Sequence, residues 1–407
     1  MDELTNRSRT FAETVVTIVW LVLLGAALKG KSGVTGLDIP EYTLVLAGST
    51  VITGVCPLLA CCIFTNQRAV SEVAALLSTA MLLSLACCIA TLTVTDEIVL
   101  AVAGLSLSCT VLRIISYCRQ EENNEPGHEA RTKEFHAILD GSHEFLCCTT
   151  GIHFLWLGSL SLDGQFSKSH GIQNDLSEAM GTVNIIVCGI GLCTMLIQMA
   201  PPLKYSTMVE IAGRLFGFDT FMIFSIGTVL GAAMWKSMVF PGLLLLIVGS
   251  VVIIGPLIAV FVLVLHVSCP EEAGGGDQGN NETPKLAPLG LTKLMVTGFL
   301  TISISVNSPD ASITNWFLVF AAAAILSGLT WRLLTQAQVW KILENNKFVP
   351  VSQERIDKTA ALASSAKTAC FCANTFVAIA TILLMVEIFI VKQSTSVAAL
   401  APAPAST

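Results

Sequence analysis

Eleven long apolar runs, separated by loops that are alternately rich and poor in Lys and Arg, confine this chain to a lipid environment. A helix needs about 20 apolar residues to cross about 30 Å of hydrocarbon. Runs of that order lie at Ala12–Leu28, Tyr42–Phe64, Val73–Val94, Ile98–Tyr117, Phe145–Leu162 and Ala179–Met199. The others are Leu215–Trp235, Met238–Val267, Leu291–Val306, Ile313–Leu334 and Thr368–Val391. Because lipid offers no water to backbone groups, each run is expected to be helical. The fold class is therefore an all-α integral membrane protein, a polytopic bundle of about eleven transmembrane helices. Two runs are atypical. Leu291–Val306 is short and carries Lys293, whose head can snorkel to the interface. Met238–Val267 would be about 45 Å long as a straight helix, so it must tilt, protrude or kink near Pro256.

Composition agrees. Of 407 residues, 53% are hydrophobic and 13% charged, against about 25% charged in a soluble domain. The net charge of −7 leaves no basic stripe, which excludes nucleic acid as an expected partner. Most of the fourteen cysteines lie in or beside apolar runs and read as small buried hydrophobes. The first run is long for a signal-peptide core and reads as a retained signal-anchor.

Basic residues set the orientation. With the N-terminus in the cytosol, only Lys29, Lys31, Lys168, Lys236 and Lys392 of the 22 Lys and Arg fall outside. Arg7, Arg214, Lys293 and Arg332 are among those inside. This positive-inside bias implies an odd number of spans and an extracytosolic C-terminus, and it does not distinguish plasma membrane from endomembrane.

Two polar segments divide the chain. Residues 1–118 form a four-span unit, 119–144 a cytosolic polar loop, 145–267 a second four-span unit and 268–290 a flexible cytosolic linker. Residues 291–392 form a three-span unit, and 393–407 a disordered tail. The similarity of Glu72–Ala80 to Lys358–Ala366 suggests an internal repeat in a 4+4+3 arrangement, although small residues are common at membrane-helix ends. Gly189, Gly191, Gly227, Gly231 and Gly249 are expected to permit close helix contact.

Ionisable groups inside spans are the main pointers to chemistry, because burying an unpaired charge costs at least a few kcal/mol. Asp219 and Glu387 are the carboxylates well within runs. Each reads as a ligand for a transported ion or proton, or as an interfacial group paired with a basic residue at the helix end. Asp219 follows Arg214 by five residues, about 7 Å along a helix. His153 and Asn184 are expected to hydrogen-bond between helices.

On a helix His136, His143 and Cys147 would share a face and could hold a metal with Asp140 or Glu144, but the spacing fits no metal motif and Gly141 interrupts the run. No cofactor is expected. Gly25–Ser32 has the form of a phosphate loop but lacks the strand and helix such a loop needs, so it reads as coincidence. Cys147 and Cys148 are among the juxtamembrane cysteines open to acylation on sequence grounds.

Three functions remain. The first is a non-catalytic scaffold, receptor-like or regulatory component, contacting the lipid bilayer and protein partners through loops 119–144 and 335–357. The second is a secondary transporter or channel, and the third a membrane-embedded metal-dependent enzyme. The oligomeric state is not encoded in any feature above. Tags at the two termini are expected to be reached from opposite sides of the membrane, and equal access would contradict an odd span count.

Overall fold

A computed structural model of the protein describes residues 7, 9–19, 45, 47–52, 54–55, 129–162, 172–198, 205–237, 286–305, 312–345 and 353–400. All secondary structure among these is helical. Six long helices are α1 (Glu129–Leu162), α2 (Ile172–Gln198), α3 (Tyr205–Ser237), α4 (Gly290–Ser305), α5 (Ser312–Asn345) and α6 (Gln353–Leu400). Helical residues 9–19 and 47–52 pack beside them.

Helix ends follow local chemistry. The sequence after Gln198 runs Met199-Ala200-Pro201-Pro202, and a proline pair cannot continue a hydrogen-bonded helix. Pro288 disfavours a helical Ala287, so α4 opens at Gly290, with the Lys293 amide donating to the Leu289 carbonyl.

Among the described residues, three helices carry stretches long and apolar enough to cross a membrane: Gly213–Gly231 in α3, Asn315–Trp340 in α5 and Ala361–Val386 in α6. Thr182–Met195 in α2 and Gly290–Leu300 in α4 are shorter apolar stretches. The expected run Phe145–Leu162 lies inside α1, where Thr149, Thr150 and His153 make it more polar. The expected runs Val73–Val94, Ile98–Tyr117 and Met238–Val267 lie outside the described residues, as do Glu72–Ala80 of the suggested repeat and Gly249.

Helix α5 is the axis of the described bundle. Its apolar stretch is 89% buried, and it touches α1, α3, α4 and α6. Phe317, Leu318, Ala321, Ala322, Ile325 and Leu329 supply the core with no more than 1% of any side chain exposed. Helix α6 is its opposite: the stretch Ala361–Val386 is 11% buried. It returns antiparallel to α5, with Phe376 against Phe320 and Leu362 and Ala366 against Leu334. Its outer face leaves Phe371, Ile382 and Met385 exposed. An aqueous surface would penalise such a face at roughly 25 cal/mol per Å², whereas lipid accepts it.

Several expectations change. Residues 129–144, expected as a solvated loop, continue without a break into residues 145–162. Gly141 does not interrupt that helix. A β-carbon there would lie 2.6 Å from Leu286 Cδ1, so its missing side chain permits a close approach. Phe135, Ile138, Leu139, Ser142 and Leu146, at the i, i+3, i+4, i+7 and i+11 positions of one helix face, form one buried stripe. The end of the expected flexible linker is also packed, with Ala287 and Leu289 buried. Residues 335–345, expected in an inner loop, extend α5, and residues 393–400, expected to be disordered, extend α6.

Small residues mark helix crossings. A β-carbon at Gly191 would meet Thr150 Oγ1 at 2.3 Å, and one at Gly328 would meet Thr292 Oγ1 at 2.3 Å. Gly189 and Gly227 are buried, while a β-carbon at Gly231 would meet nothing within 4 Å among the described residues. Opposite effects on unfolding in detergent follow. Gly231→Ala should stabilise by about 0.5–1 kcal/mol through helix propensity. Gly328→Ala should destabilise by about 1–3 kcal/mol through overpacking. Shifts of the same sign would contradict the packing.

Candidate functional site

In the second half of α5, Arg332 reaches sideways into the bundle, its side chain only 5% exposed. Its Nη2 donates to Glu144 Oε2 at 2.8 Å and to the Gly141 carbonyl at 3.3 Å, and its Nη1 donates to the Ala287 carbonyl at 2.6 Å. Thr335 Oγ1 accepts from the Ala287 amide at 3.1 Å. One guanidinium thus ties α1 and the segment before α4 to α5. Lys293 of α4 approaches the other Glu144 oxygen at 3.7 Å, in a more exposed pair. The planar fork of arginine suits this multiple role, which a lysine ammonium would fill poorly.

One turn further along α5 is Gln336, and opposite it Asp219 of α3, whose side chain has no exposed surface. Gln336 Nε2 donates to Asp219 Oδ2 at 2.7 Å, and Ser142 Oγ of α1 donates to Oδ1 at 3.2 Å. Both donors are uncharged. The interfacial reading of Asp219 has it near the cytosolic end of its helix, within reach of a basic residue. Helix α3 in fact begins at Tyr205, which places Asp219 about 21 Å along it. Among the described residues none of the ion pairs includes Asp219.

The seam continues through α2. Gln198 Nε2 donates to Ser142 Oγ at 3.0 Å, and Gln198 Oε1 lies 3.1 Å from His143 Nδ1. His143 Nε2 faces the backbone carbonyl of Arg7 at 3.2 Å. Burial, with a smaller contribution from the Arg7 charge, lowers the His143 pKa to about 4, against the opposing contact with Gln198. The Arg7 guanidinium pairs with Asp140, contacts His136 Nδ1 at 3.0 Å and donates to the Gln198 carbonyl at 3.2 Å. Ser142, His143, Gln198, Asp219 and Gln336 are each at most 2% exposed.

A second polar layer lies about 9 Å further along α3, at Ser225. His153 of α1 sits 2.7 Å from Asn184 Oδ1 of α2 through Nδ1, and 2.7 Å from Ser225 Oγ through Nε2. His153 and Asn184 thus hydrogen-bond between helices, with each other.

The structure separates the three residues considered for metal binding. His136 contacts Arg7, and His143 contacts Gln198. The Cys147 thiol points to Met195 Sδ at 3.3 Å and lines an open cavity of about 200 Å³ with Thr10, Thr14 and Lys293. Among the described residues no three His, Cys, Asp or Glu side chains are placed to hold a metal ion. Cys147 and Cys148 are buried among their neighbours. Glu387 lies in α6, and its side chain is outside the described residues.

Ser142, Gln198, Arg332 and Gln336 were not singled out from sequence as site residues. The signal for Ser142 was the three- and four-residue spacing of buried positions on either side of Gly141. For Arg332 it was a charge two residues inside the expected end of an apolar run. Comparison of the chain with protein families, curated proteins and solved structures finds no match.

The two Glu144 pairs should separate in a stability measurement. Arg332→Met should cost about 3–5 kcal/mol, as expected when one partner of a buried pair is removed. Lys293→Met should cost less than about 1 kcal/mol, as for exposed pairs. Equal effects on denaturant unfolding in micelles would contradict the anchor role of Arg332.

Proposed function

We propose that this chain is a multi-pass membrane transport protein of about eleven spans, in which Asp219 binds a proton or small cation during the transport cycle. The observation that carries the reading is a carboxyl group with no exposed surface, held by two uncharged donors at the meeting of α1, α3 and α5. An ionisable group inside a membrane bundle is costly and characteristically marks an ion or proton path. A second feature supports it. Gln336 Oε1 is buried beside the carboxylate and has no hydrogen-bond partner among the described residues, so an acceptor is left for a bound cation or its water.

The scaffold reading loses support because residues 135–143 direct much of their surface into the bundle rather than outward. The enzyme reading loses it because His136, His143 and Cys147 turn to separate partners. A cytosolic N-terminus fits the gathering of Arg7, Lys293 and Arg332, all assigned inside by charge, around Asp140 and Glu144.

The test uses proteoliposomes with a trapped pH-sensitive dye, offered amino acids, sugars, nucleosides and inorganic ions in turn. At least one solute should change the internal pH with the wild-type protein. Asp219→Asn should slow that change about tenfold or more, the effect of losing roughly 1.4 kcal/mol of barrier-lowering interaction. Equal rates in both proteins, or no flux across the panel from folded wild type, would count against transport.

A further inference from the structure

Hydrogen-bond accounting along the seam constrains its protons. The chain of contacts runs from the Arg7 carbonyl to His143 Nε2, from Nδ1 to the Gln198 amide, then to Ser142 Oγ and Asp219 Oδ1. Its two ends are fixed: a carbonyl only accepts, and a carboxyl oxygen accepts unless it is protonated. The oxygen and nitrogen of a glutamine amide exchange places on rotation, so both orientations of Gln198 must be considered.

With Gln198 Nε2 toward Ser142, the serine hydroxyl donates to an ionised Asp219. Gln198 Oε1 then needs a proton on His143 Nδ1, while the Arg7 carbonyl needs one on Nε2. The ring is an imidazolium. With the amide rotated, Nε2 donates to a bare His143 Nδ1, and the remaining proton on Nε2 serves Arg7. The serine hydroxyl now donates to Gln198 Oε1, and Ser142 Oγ accepts from a protonated Asp219. Both arrangements satisfy every contact in the chain. An ionised Asp219 with a neutral ring leaves one contact without a proton, and a protonated Asp219 with an imidazolium supplies one too many.

We propose that Asp219 and His143 form one proton-sharing pair, joined through Ser142 and Gln198, in which the orientation of the Gln198 amide sets which of the two holds the proton. Between the two states the Gln198 oxygen takes the proton from His143 Nδ1, the Gln198 nitrogen gives one to Ser142 Oγ, and the serine gives its own to Asp219 Oδ1. The amide, left as its imidic tautomer, returns to the amide form in the rotated orientation, and the pair keeps the same total charge. A buried site that conserves charge avoids the cost of placing a net charge in the bundle.

The charged groups around the pair fit a switch between its ends. Arg7, with Asp140 and His136 as its partners, lies at the His143 end and opposes an imidazolium. Arg332 of α5, held with Glu144 of α1 and beside Lys293 of α4, acts by charge on Asp219. The pair rests on the transport reading for its role, since a proton that can move between two ends of a seam is what coupling requires. Its existence is nevertheless measurable without any flux.

The experiment is an infrared titration of the full-length protein in lipid nanodiscs, following the carboxylic acid carbonyl band that Asp219→Asn removes. Coupled sites interact by about one pK unit or more, so His143→Gln should move the midpoint of that band by about one pH unit or more. In a Gln198→Leu background, which cuts the chain of contacts, the same substitution should leave the midpoint in place. Ser142→Ala cuts the chain at a second point and serves if Gln198→Leu does not fold. A midpoint that ignores His143→Gln, a band unmoved by pH, or an equal shift in the cut backgrounds would overturn the pair. Coupling without flux would retain the pair and remove the transport role; flux without coupling would do the reverse.

Discussion

A carboxyl group with no exposed surface sets terms that the helices around it must meet. Asp219 needs donors on both oxygens, and a bundle interior provides no water shell to supply them. Helices α1 and α5 provide Ser142 and Gln336, and α2 adds Gln198 behind Ser142. Each of these residues must be satisfied in turn, so the requirement spreads outward to His143 and the backbone of Arg7. A partly satisfied buried network is worse than an apolar core, and this favours one relative placement of the helices over others.

That placement has structural conditions of its own. Helix α1 can deliver Ser142 only if it approaches α5 closely, and Gly141 allows this by leaving room for Leu286 and the Arg332 guanidinium. Arg332 then fixes the segment before α4, and the Phe216–Trp340 stack, with ring centroids 5.8 Å apart, closes the same end between α3 and α5. Deeper in the bundle, Gly191 and Gly328 bring α2 to α1 and α5 to α4, and His153 with Asn184 and Ser225 repeats the polar linkage between α1, α2 and α3. Apolar burial along α5 supplies the driving force, and the polar layers select the register.

Much of the membrane character is legible in the apolar runs, because a stretch such as Asn315–Trp340 or Ala361–Val386 has few other destinations. Asp219 is legible for the same reason: a carboxylate within such a run stands out. Its partners are less so. Ser142 lies in a segment whose charge and glycine resemble a loop, and only the spacing of Phe135, Ile138, Leu139 and Leu146 shows that the helix continues. Gln336 stands two residues beyond the expected end of its run, where polarity is ordinary. Hydrogen bonds across dozens of residues of separation depend on which helices become neighbours, and periodicity in a single sequence does not specify that. The inward turn of Arg332 is equally hidden, because a long side chain can turn into the bundle as readily as toward the interface.

The central claim is that Asp219 is held inside the bundle by α1 and α5 rather than hydrated at a helix end. The most direct measurement is solid-state NMR dipolar recoupling in bilayers, between the Asp219 side-chain carboxyl carbon and the Gln336 side-chain nitrogen. The account predicts a strong coupling that matches a hydrogen bond of 2.7 Å from Gln336 Nε2 to Asp219 Oδ2, lost in Gln336→Leu. An absent coupling, together with a carboxyl carbon that exchanges polarisation readily with water, would contradict it.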